Sequence, residues 1–390
     1  MWNSINSIIS YGVIFNSTRM LIGATSAMFL LANGISLIEL GILKTLQAVI
    51  ILLLDIPLAY FADRYSKKLS ITLGVISGGI WLILTGLAQS NEIFYVAEVF
   101  NALSMVFIGG AFMAYLVNSA KRLSDSDNTI HNVLSKYQKI QFIAMGIAAL
   151  IGSFLFSIES KQIWLIAGGT SLALALLGVL LLPKDRDNED LAHNKNSFVE
   201  DLSNIRIGLK TLKANSPSLI IYMLTIASIF QVLIQYWQPI ASPTQELIAA
   251  NLGLIFAGIL GVQSFASYLA EKLKTSEATL KMGQVLNVIV LVCTIFVVKF
   301  WPEMIFISII LLFLVNRLIN IALQSKFHEV IESQFRSTYD SVFSTGLRII
   351  LIVVMPFTGW ALAHLGSNIL FIFLILPVFF LLSSFRRKDV

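Results

Sequence analysis

The chain is dominated by apolar stretches that are long enough to cross a membrane as helices. A transmembrane helix needs about 20 mostly apolar residues, and 57% of the 390 residues are hydrophobic whereas 13% are charged. One soluble core cannot bury so much apolar surface, so the chain is predicted to be an all-α polytopic membrane protein. Twelve spans are predicted, at residues 8–31, 38–60, 69–88, 93–117, 138–157, 163–182, 218–240, 247–269, 281–300, 303–325, 339–362 and 367–384.

Basic residues are distributed unevenly between the loops that join these spans. Most of the 27 Lys and Arg residues fall in alternate loops and in the C-terminal tail, whereas the other loops hold Lys161 and Lys299. Cytoplasmic loops of membrane proteins collect Lys and Arg, so both termini are predicted to be cytoplasmic. The predicted location is the inner, cytoplasmic membrane. The net charge of +5 follows from this asymmetry and does not identify a partner.

The longest polar stretch divides the spans into two sets of six. Residues 184–216 mix acidic and basic side chains, which predicts a cytoplasmic linker between bundles formed by residues 1–183 and 217–390. Apolar residues recur at helical spacing within the linker: Phe198, Leu202, Ile205, Leu209 and Leu212. They predict a short amphipathic helix, which either lies on the inner leaflet or packs on the rest of the protein.

A short pattern near the end of the second span is repeated in the second half of the chain. Four residues of the first half are matched at the same spacing by four of the second: Tyr60, Ala62, Asp63 and Arg64 by Tyr268, Ala270, Glu271 and Lys272. Two related halves of six spans each predict two helix bundles around a central pathway.

The residues from the end of the second span to the start of the third also resemble a known family signature. Ala59, Asp63, Arg64, Lys67 and Lys68 resemble the G-x-x-x-D-R-x-G-R-K pattern of the major facilitator superfamily, and the twelve-span layout is similar over the whole chain. The chain departs from the pattern at Ala59 and at Ser66, where glycines are usual. The resemblance implies a secondary transporter of two six-helix bundles that works by alternating access.

The resemblance also implies a gating role for this segment. It implies that Asp63 docks against the cytoplasmic start of the eleventh span when the inner side is closed, and releases it when that side opens. Arg336 precedes that span and is a further expected partner. Ala59, Asp63, Arg64, Lys67 and Lys68 are therefore expected to form the gate together with Glu271 and Arg336.

Charged side chains inside the predicted spans mark candidate functional positions. A charged residue at the bilayer centre costs at least about 2.5 kcal/mol on insertion scales, and Arg19, Lys44, Arg317 and Arg348 lie within spans. Arg19 and Arg348 are predicted near the midplane. Lys44 is shallower and could instead extend to the outer headgroups.

These cations and a set of polar residues predict a site for an anion. Gln231 and Gln235 recur one helical turn apart on the seventh span, so their face is expected to line a cavity. The predicted substrate-binding residues are Arg19, Asn16, Gln231, Gln235, Trp237, Arg317 and Arg348. Because cations outnumber acids within the spans, the expected substrate is a small carboxylate-bearing, phosphate-bearing or siderophore-like solute. Asn101 and Asn287 are attributed to hydrogen bonds between helices.

Two acidic residues are the candidates for proton coupling. Asp55 lies two turns before Asp63 and is predicted to pair with Arg19, while Glu98 lies near the outer end of the fourth span. The predicted pair has two interpretations, a permanent structural bridge or a contact that is broken when Asp55 takes up a proton. Glu98 is expected either to take part in coupling or to be hydrated in an outer vestibule.

Other functions are considered alongside the anion transporter. A multidrug/proton antiporter would carry a Gly-Pro motif in the fifth span, where this chain has Gly146 and Gly152 without a following Gly-Pro pair. A phospholipid or glycolipid flippase of the same fold could hold a headgroup phosphate between arginines. Export is favoured over import from the resemblance.

An enzyme is not expected. The four histidines fall in loops or at span ends, and no nucleophile motif, phosphate-binding loop or metal-ligand spacing occurs in the sequence. No cofactor or metal is expected beyond a proton gradient. The expected partners are the substrate, protons and the lipid bilayer, without nucleic acid, and the protein is expected to be a monomer.

Overall fold

The computed structural model describes residues 2–122, 127–183, 217–241, 249–272, 277–330 and 336–386. These segments consist of α-helices with one short 3-10 helix, and none of them contains a strand. The helices are α1 (Trp2–Met20), α2 (Ser26–Ala32), α3 (Leu37–Arg64), α4 (Lys67–Leu87), α5 (Asn91–Lys121), α6 (Asp127–Ile158), α7 (Ser160–Leu181), α8 (Pro217–Ala241), α9 (Ala249–Lys272), α10 (Glu277–Phe300), α11 (Ile305–Val330) and α12 (Arg336–Arg386), with the 3-10 helix at Pro302–Met304.

The helices account for the predicted membrane spans. In the described part of the chain, ten helices are long and apolar enough to cross a membrane. Helices satisfy their own backbone hydrogen bonds, which is what a bilayer requires of a spanning segment. The prediction of an all-α membrane fold is confirmed.

The first and last predicted spans differ in detail from the sequence pattern. The predicted span 8–31 is divided into α1 and α2 by a turn at residues 21–25. The last two predicted spans form one helix, α12, which is interrupted at Gly366. Gly366 has a φ of 77°, a left-handed conformation that glycine adopts without a steric penalty.

Local capping explains where two of the helices begin. At the start of α3 the Ser36 amide donates to Glu39 Oε2 at 2.8 Å, and the Glu39 amide donates to Ser36 Oγ at 3.2 Å. This reciprocal pair is a capping box. At the start of α4 the Leu69 amide donates to Ser66 Oγ at 3.1 Å. Both serines satisfy amides that a helix leaves unpaired in its first turn.

The chain forms two compact units. The first consists of Met1–Ile35, Leu46–Lys195 and Leu247–Ala257, and the second of Ser36–Thr45, Asn196–Glu246 and Gly258–Val390. In the first unit α4 packs against α5 and α7, and α1 packs against α6. In the second unit α8 packs against α11 and α12, and α10 packs against the same two helices. The predicted bundle limits remain a prediction, and the linker predicted at 184–216 lies outside the described residues.

The turn that divides the first span is held by a close helix contact. A Cβ atom added at Gly152 of α6 would overlap the backbone carbonyl of Leu21, which opens the turn. Glycine therefore lets α6 approach the unwound segment directly after Arg19. Six residues earlier on the same helix, a Cβ at Gly146 would meet nothing within 4 Å.

We expect Gly152→Ala to destabilise the protein by about 1–3 kcal/mol, because the added methyl group must displace backbone. Gly146→Ala is the matched control, and we expect it to be neutral or slightly stabilising because alanine has the higher helix propensity. Thermal unfolding of the purified protein in detergent measures both variants. Equal unfolding temperatures for the two would contradict the close contact.

Candidate functional site

Arg19 lies in the last turn of α1 and makes its contacts inside the first unit. Its Nη2 donates to Asn101 Oδ1 at 2.6 Å, and its Nη1 donates to Ser104 Oγ at 3.4 Å. The guanidinium lies over the ring of Trp81, 4.5 Å from its centroid, and 5.8 Å from the centroid of Phe15. A guanidinium has five N–H donors, and these bonds use two of them within the described part of the chain.

Asn101 connects Arg19 to a buried carboxylate. Its Nδ2 donates to Glu98 Oε1 at 3.1 Å, and Glu98 is close enough to act electrostatically on Arg19. Glu98 is 4% exposed and Asn101 is 2% exposed, whereas Arg19 remains partly exposed. Among the described residues, no carboxylate lies within ion-pair distance of the guanidinium. The cation is therefore compensated through an amide rather than by direct contact.

The helix pattern of α5 explains how these residues come together. Glu98, Asn101 and Ser104 recur every third residue, so they lie along one side of the helix. Gly78 of α4 allows the close approach, since a Cβ there would lie 2.9 Å from Ser104 Oγ and 3.6 Å from Arg19 Nη1. The three-residue spacing is a signal that the sequence contains. The cation–π contact of Arg19 with Trp81 has no such signal, because it depends on the depth and rotation of two separate helices.

The structure does not form the ion pair predicted between Arg19 and Asp55. Arg19 faces α4 and α5, where Asn101 supplies its shortest hydrogen bond. Asp55 is exposed and makes contacts of its own. Glu98 is instead the acid to which Arg19 is connected, through Asn101.

Asn16 is held by hydrogen bonds within the first unit. Its Nδ2 donates to the carbonyl of Gly12 at 3.0 Å and to the hydroxyl of Tyr137 at 3.0 Å. It remains partly exposed one turn before Arg19. Asn16 is thus placed on the same helix as Arg19, with its amide oriented by Tyr137.

The second unit holds the other predicted binding residues. Gln231 and Gln235 of α8 are partly exposed, and so are Arg317 of α11 and Arg348 of α12. Trp237 is only 1% exposed, so its side chain is packed inside this unit. Direct contact of Trp237 with a ligand would therefore require a rearrangement.

Two polar contacts of the second unit were not predicted as specific pairs. Asn287 and Asn316 are both fully buried, and their amides exchange two hydrogen bonds of 3.4 Å between α10 and α11. The Tyr236 hydroxyl donates to the carbonyl of Met355 at 2.9 Å. Polar groups in hydrocarbon need such partners, so these contacts position Arg317 and the middle of α12.

The predicted gating segment has its own set of contacts at the end of α3 and the start of α4. Asp63 is exposed and forms an ion pair of 3.3 Å with Lys67. Lys68 Nζ donates to the carbonyls of Val179 at 2.8 Å and Leu182 at 2.6 Å, which are orphan acceptors at the end of α7. Ser66 has an extended backbone with a φ of −175°, so it is the N-cap of α4 and needs no left-handed conformation.

The repeated pattern also has a structural counterpart. Arg64 Nη1 donates to the Tyr60 hydroxyl at 2.8 Å, with the guanidinium 5.9 Å from that ring centroid. In the second half, Lys272 Nζ lies 4.6 Å from the ring centroid of Tyr268. Each copy therefore places a cation over a tyrosine one turn earlier. Of the other predicted gating residues, Ala59 is exposed, and the side chains of Glu271 and Arg336 lie outside the described residues. Lys44 is partly exposed and makes contacts.

Comparison with known proteins identifies similar sequences and folds. A family model described as Major Facilitator Superfamily matches residues 7–314, which is more than half of the 390 residues. A comparison with curated proteins gives no match. A structure of the nucleoside transporter NupG has a TM-score of 0.78 and 11% identity, covering 99% of this chain and 98% of that chain.

Two further solved structures share the fold. One is a bacterial homologue of the human lysosomal transporter Spinster in an inward-facing and unoccupied conformation, with a TM-score of 0.70 and 17% identity over 93% of this chain and 82% of that chain. The other is a POT family transporter in complex with 5-aminolevulinic acid, with a TM-score of 0.69 and 14% identity over 98% and 95% of the two chains.

Proposed function

Because the chain belongs to the Major Facilitator Superfamily, we propose that it carries a small anionic solute across the membrane by proton-coupled alternating access. The family membership itself makes the protein a multi-pass membrane transporter of a small-molecule substrate, and not an enzyme. The charge of the substrate, the coupling ion and the direction are parts of the proposal. The inner membrane is the proposed location.

The observation that supports an anionic substrate is the state of Arg19. Its guanidinium is partly exposed, has N–H donors without acceptors among the described residues, and has no carboxylate in direct contact. A planar guanidinium binds a carboxylate or phosphate with two parallel hydrogen bonds. Such an anion would supply the direct countercharge that Arg19 lacks.

Glu98 supports the proton-coupling part of the proposal. While Glu98 is ionised, Arg19 has a negative charge one amide away, and an incoming anion must compete with it. Protonation of Glu98 removes that charge and leaves Arg19 uncompensated, which favours anion binding. Proton and anion therefore bind cooperatively in this mechanism. Asp55 is proposed as a second proton site, reached from the exposed side of α3.

The second unit is proposed to complete the recognition of the substrate. Arg317 and Arg348 supply further cations, and Gln231 and Gln235 supply amides that can bind neutral polar groups of the solute. Asn16 is proposed to act beside Arg19. Trp237 is proposed to support this region from within the unit, since its side chain is buried.

Gating is proposed to depend on the segment from Ala59 to Lys68, together with Glu271 and Arg336. Asp63 exchanges its ion pair with Lys67 for a partner at the start of α12 in this proposal. A carboxylate is favourable at a helix N-terminus. Lys68 holds the segment to the end of α7, so movement of the gate is transmitted to that helix.

A ligand panel tests the proposed substrate class. We expect citrate, succinate or a phosphate monoester to raise the unfolding temperature of the purified protein, and quaternary ammonium compounds to leave it unchanged, because ligand binding to the folded state stabilises it. Stabilisation by the cations instead would favour a multidrug antiporter. Stabilisation by anionic phospholipids alone would favour a lipid flippase. Either result would contradict the proposal.

The same proposal predicts the direction of anion transport relative to that of the proton. Cooperative binding moves proton and anion together, whereas antiport requires that they exclude each other. Transport of the stabilising anion in sealed vesicles, with the pH gradient imposed in either orientation, measures the direction. A proton gradient directed inward drives uptake of an anion that binds together with the proton, so the export preference that the family resemblance suggests would be supported only by antiport.

A further inference from the structure

Asn101 lies between Glu98 and Arg19, and we infer that its amide transmits the protonation state of Glu98 to Arg19. This inference rests on the proposed function, because it assigns the connection between the proposed proton site and the proposed anion site. The amide bonds both charged groups, at 3.1 Å to Glu98 and 2.6 Å to Arg19. Asn101 is a positioning residue in this role.

The chemistry of the three side chains fixes one orientation of the amide. A guanidinium only donates hydrogen bonds, and an ionised carboxylate only accepts them. An asparagine amide can satisfy both neighbours only when Oδ1 faces Arg19 and Nδ2 faces Glu98. Asn101 is buried, so an amide turned the other way would leave donors facing donors without water to compensate. Arg19 and the ionised Glu98 therefore fix the same orientation of the amide.

Protonation of Glu98 weakens this arrangement. A neutral carboxyl oxygen accepts a weaker hydrogen bond from Asn101 Nδ2 than an ionised one does, so the amide is polarised less. Asn101 Oδ1 then holds the Arg19 guanidinium less strongly, without any rotation of the amide. The N–H donors of Arg19 are thereby made more available to an anion.

The helices that pack around Glu98 carry the following charged and ionisable side chains in the described part of the first unit. From α1 the facing charge is Arg19. Neither residues 69–87 of α4 nor residues 141–158 of α6 include an ionisable side chain. On α5 itself Glu92 and Tyr95 lie one to two turns toward its start, and the part of α3 that belongs to this unit and packs against α5 through Ile51 carries Asp55.

A thermodynamic cycle tests this role without requiring a substrate. Infrared titration of the carboxyl band that disappears in Glu98→Gln gives the pH midpoint of Glu98. We expect Arg19→Gln to shift this midpoint, because the cation connected to the carboxyl group is removed. In an Asn101→Leu background we expect the same change to shift it by less than half as much.

Matched variants keep the test decisive. Ser104→Ala removes the other side chain that accepts from Arg19, and we expect the full effect of Arg19→Gln to persist in that background. If Asn101→Leu does not fold, Asn101→Ala takes its place in the cycle. An equal effect of Arg19→Gln with and without the Asn101 amide would overturn the inference, since the coupling would then act directly through space.

The outcome is distinguishable from that of the proposed function. If the cycle shows the coupling but no anion stabilises the protein or is transported by it, the proposed substrate class fails and the role of Asn101 stands. If anion transport is coupled to protons but the cycle shows no dependence on Asn101, the proposed function stands and the role of Asn101 fails.

Discussion

Replacing Arg19 with glutamine is expected to reduce transport of the anionic substrate at least about 30-fold. Loss of a charged partner from a desolvated pair costs 2–5 kcal/mol, and each 1.4 kcal/mol corresponds to about tenfold. Arg19→Lys keeps the charge and loses the planar fork, so we expect an intermediate loss of about tenfold. Uptake of the labelled anion into proteoliposomes measures both variants against the parent protein.

Lys161→Gln is the control for this prediction, because it removes an exposed cation at the start of α7. We expect that variant to transport at the parent rate. Full transport by Arg19→Gln, together with loss of transport in Arg348→Gln or Arg317→Gln, would place anion recognition in the second unit alone and contradict the role given to Arg19.

Replacing Glu98 with glutamine is expected to separate transport from the proton gradient. Glutamine resembles the protonated acid, so anion binding and exchange of anion across the membrane should stay within about threefold of the parent measured at low pH, where Glu98 is protonated, on the scale of 1.4 kcal/mol per tenfold. Accumulation driven by a pH gradient should be lost completely. In the parent, anion affinity should be lower at high pH, where an ionised Glu98 competes with the anion, and in the variant it should be independent of pH. Counterflow and gradient-driven uptake in the same proteoliposomes measure the two activities.

Glu92→Gln is the matched control on the same helix. Glu92 is exposed at the start of α5, six residues before the buried Glu98. We expect its pH profile and its accumulation to equal those of the parent. If Glu98→Gln also keeps the parent profile, coupling does not pass through Glu98, and Asp55→Asn becomes the variant to measure.

The helical architecture could be predicted from the sequence, because the bilayer provides no hydrogen-bond partners for the backbone of a spanning segment. Apolar runs of spanning length have one backbone solution in a bilayer, so the pattern of the chain determines the helices. The turn at residues 21–25 could not be predicted, because the span remains apolar through it and a contact from Gly152 on another helix holds it. The interruption at Gly366 coincides with the short connection predicted between the last two spans.

The candidate site was predicted in part. Arg19 and Glu98 are identifiable because charged residues within spans are rare and costly. Their connection was missed, because pairing Arg19 with Asp55 relied on depth alone. Depth does not specify which way a helix is rotated, and α1 turns Arg19 toward Asn101 and Trp81. The sequence predicts Asn101 only as one of several polar residues that form hydrogen bonds between helices. It does not show that Asn101 contacts both Arg19 and Glu98.

The central claim is that a proton and an anion bind together through Glu98 and Arg19. Reciprocal linkage requires that, if protonation strengthens anion binding, anion binding causes proton uptake. The most direct measurement is therefore the proton uptake of the purified protein in weakly buffered detergent solution when a stabilising anion is added, recorded with a pH indicator. We expect uptake approaching one proton per bound anion in the parent at a pH where Glu98 is ionised, and none in Glu98→Gln although that variant still binds the anion. Proton release, or anion binding without any proton change in the parent at every pH, would contradict the account.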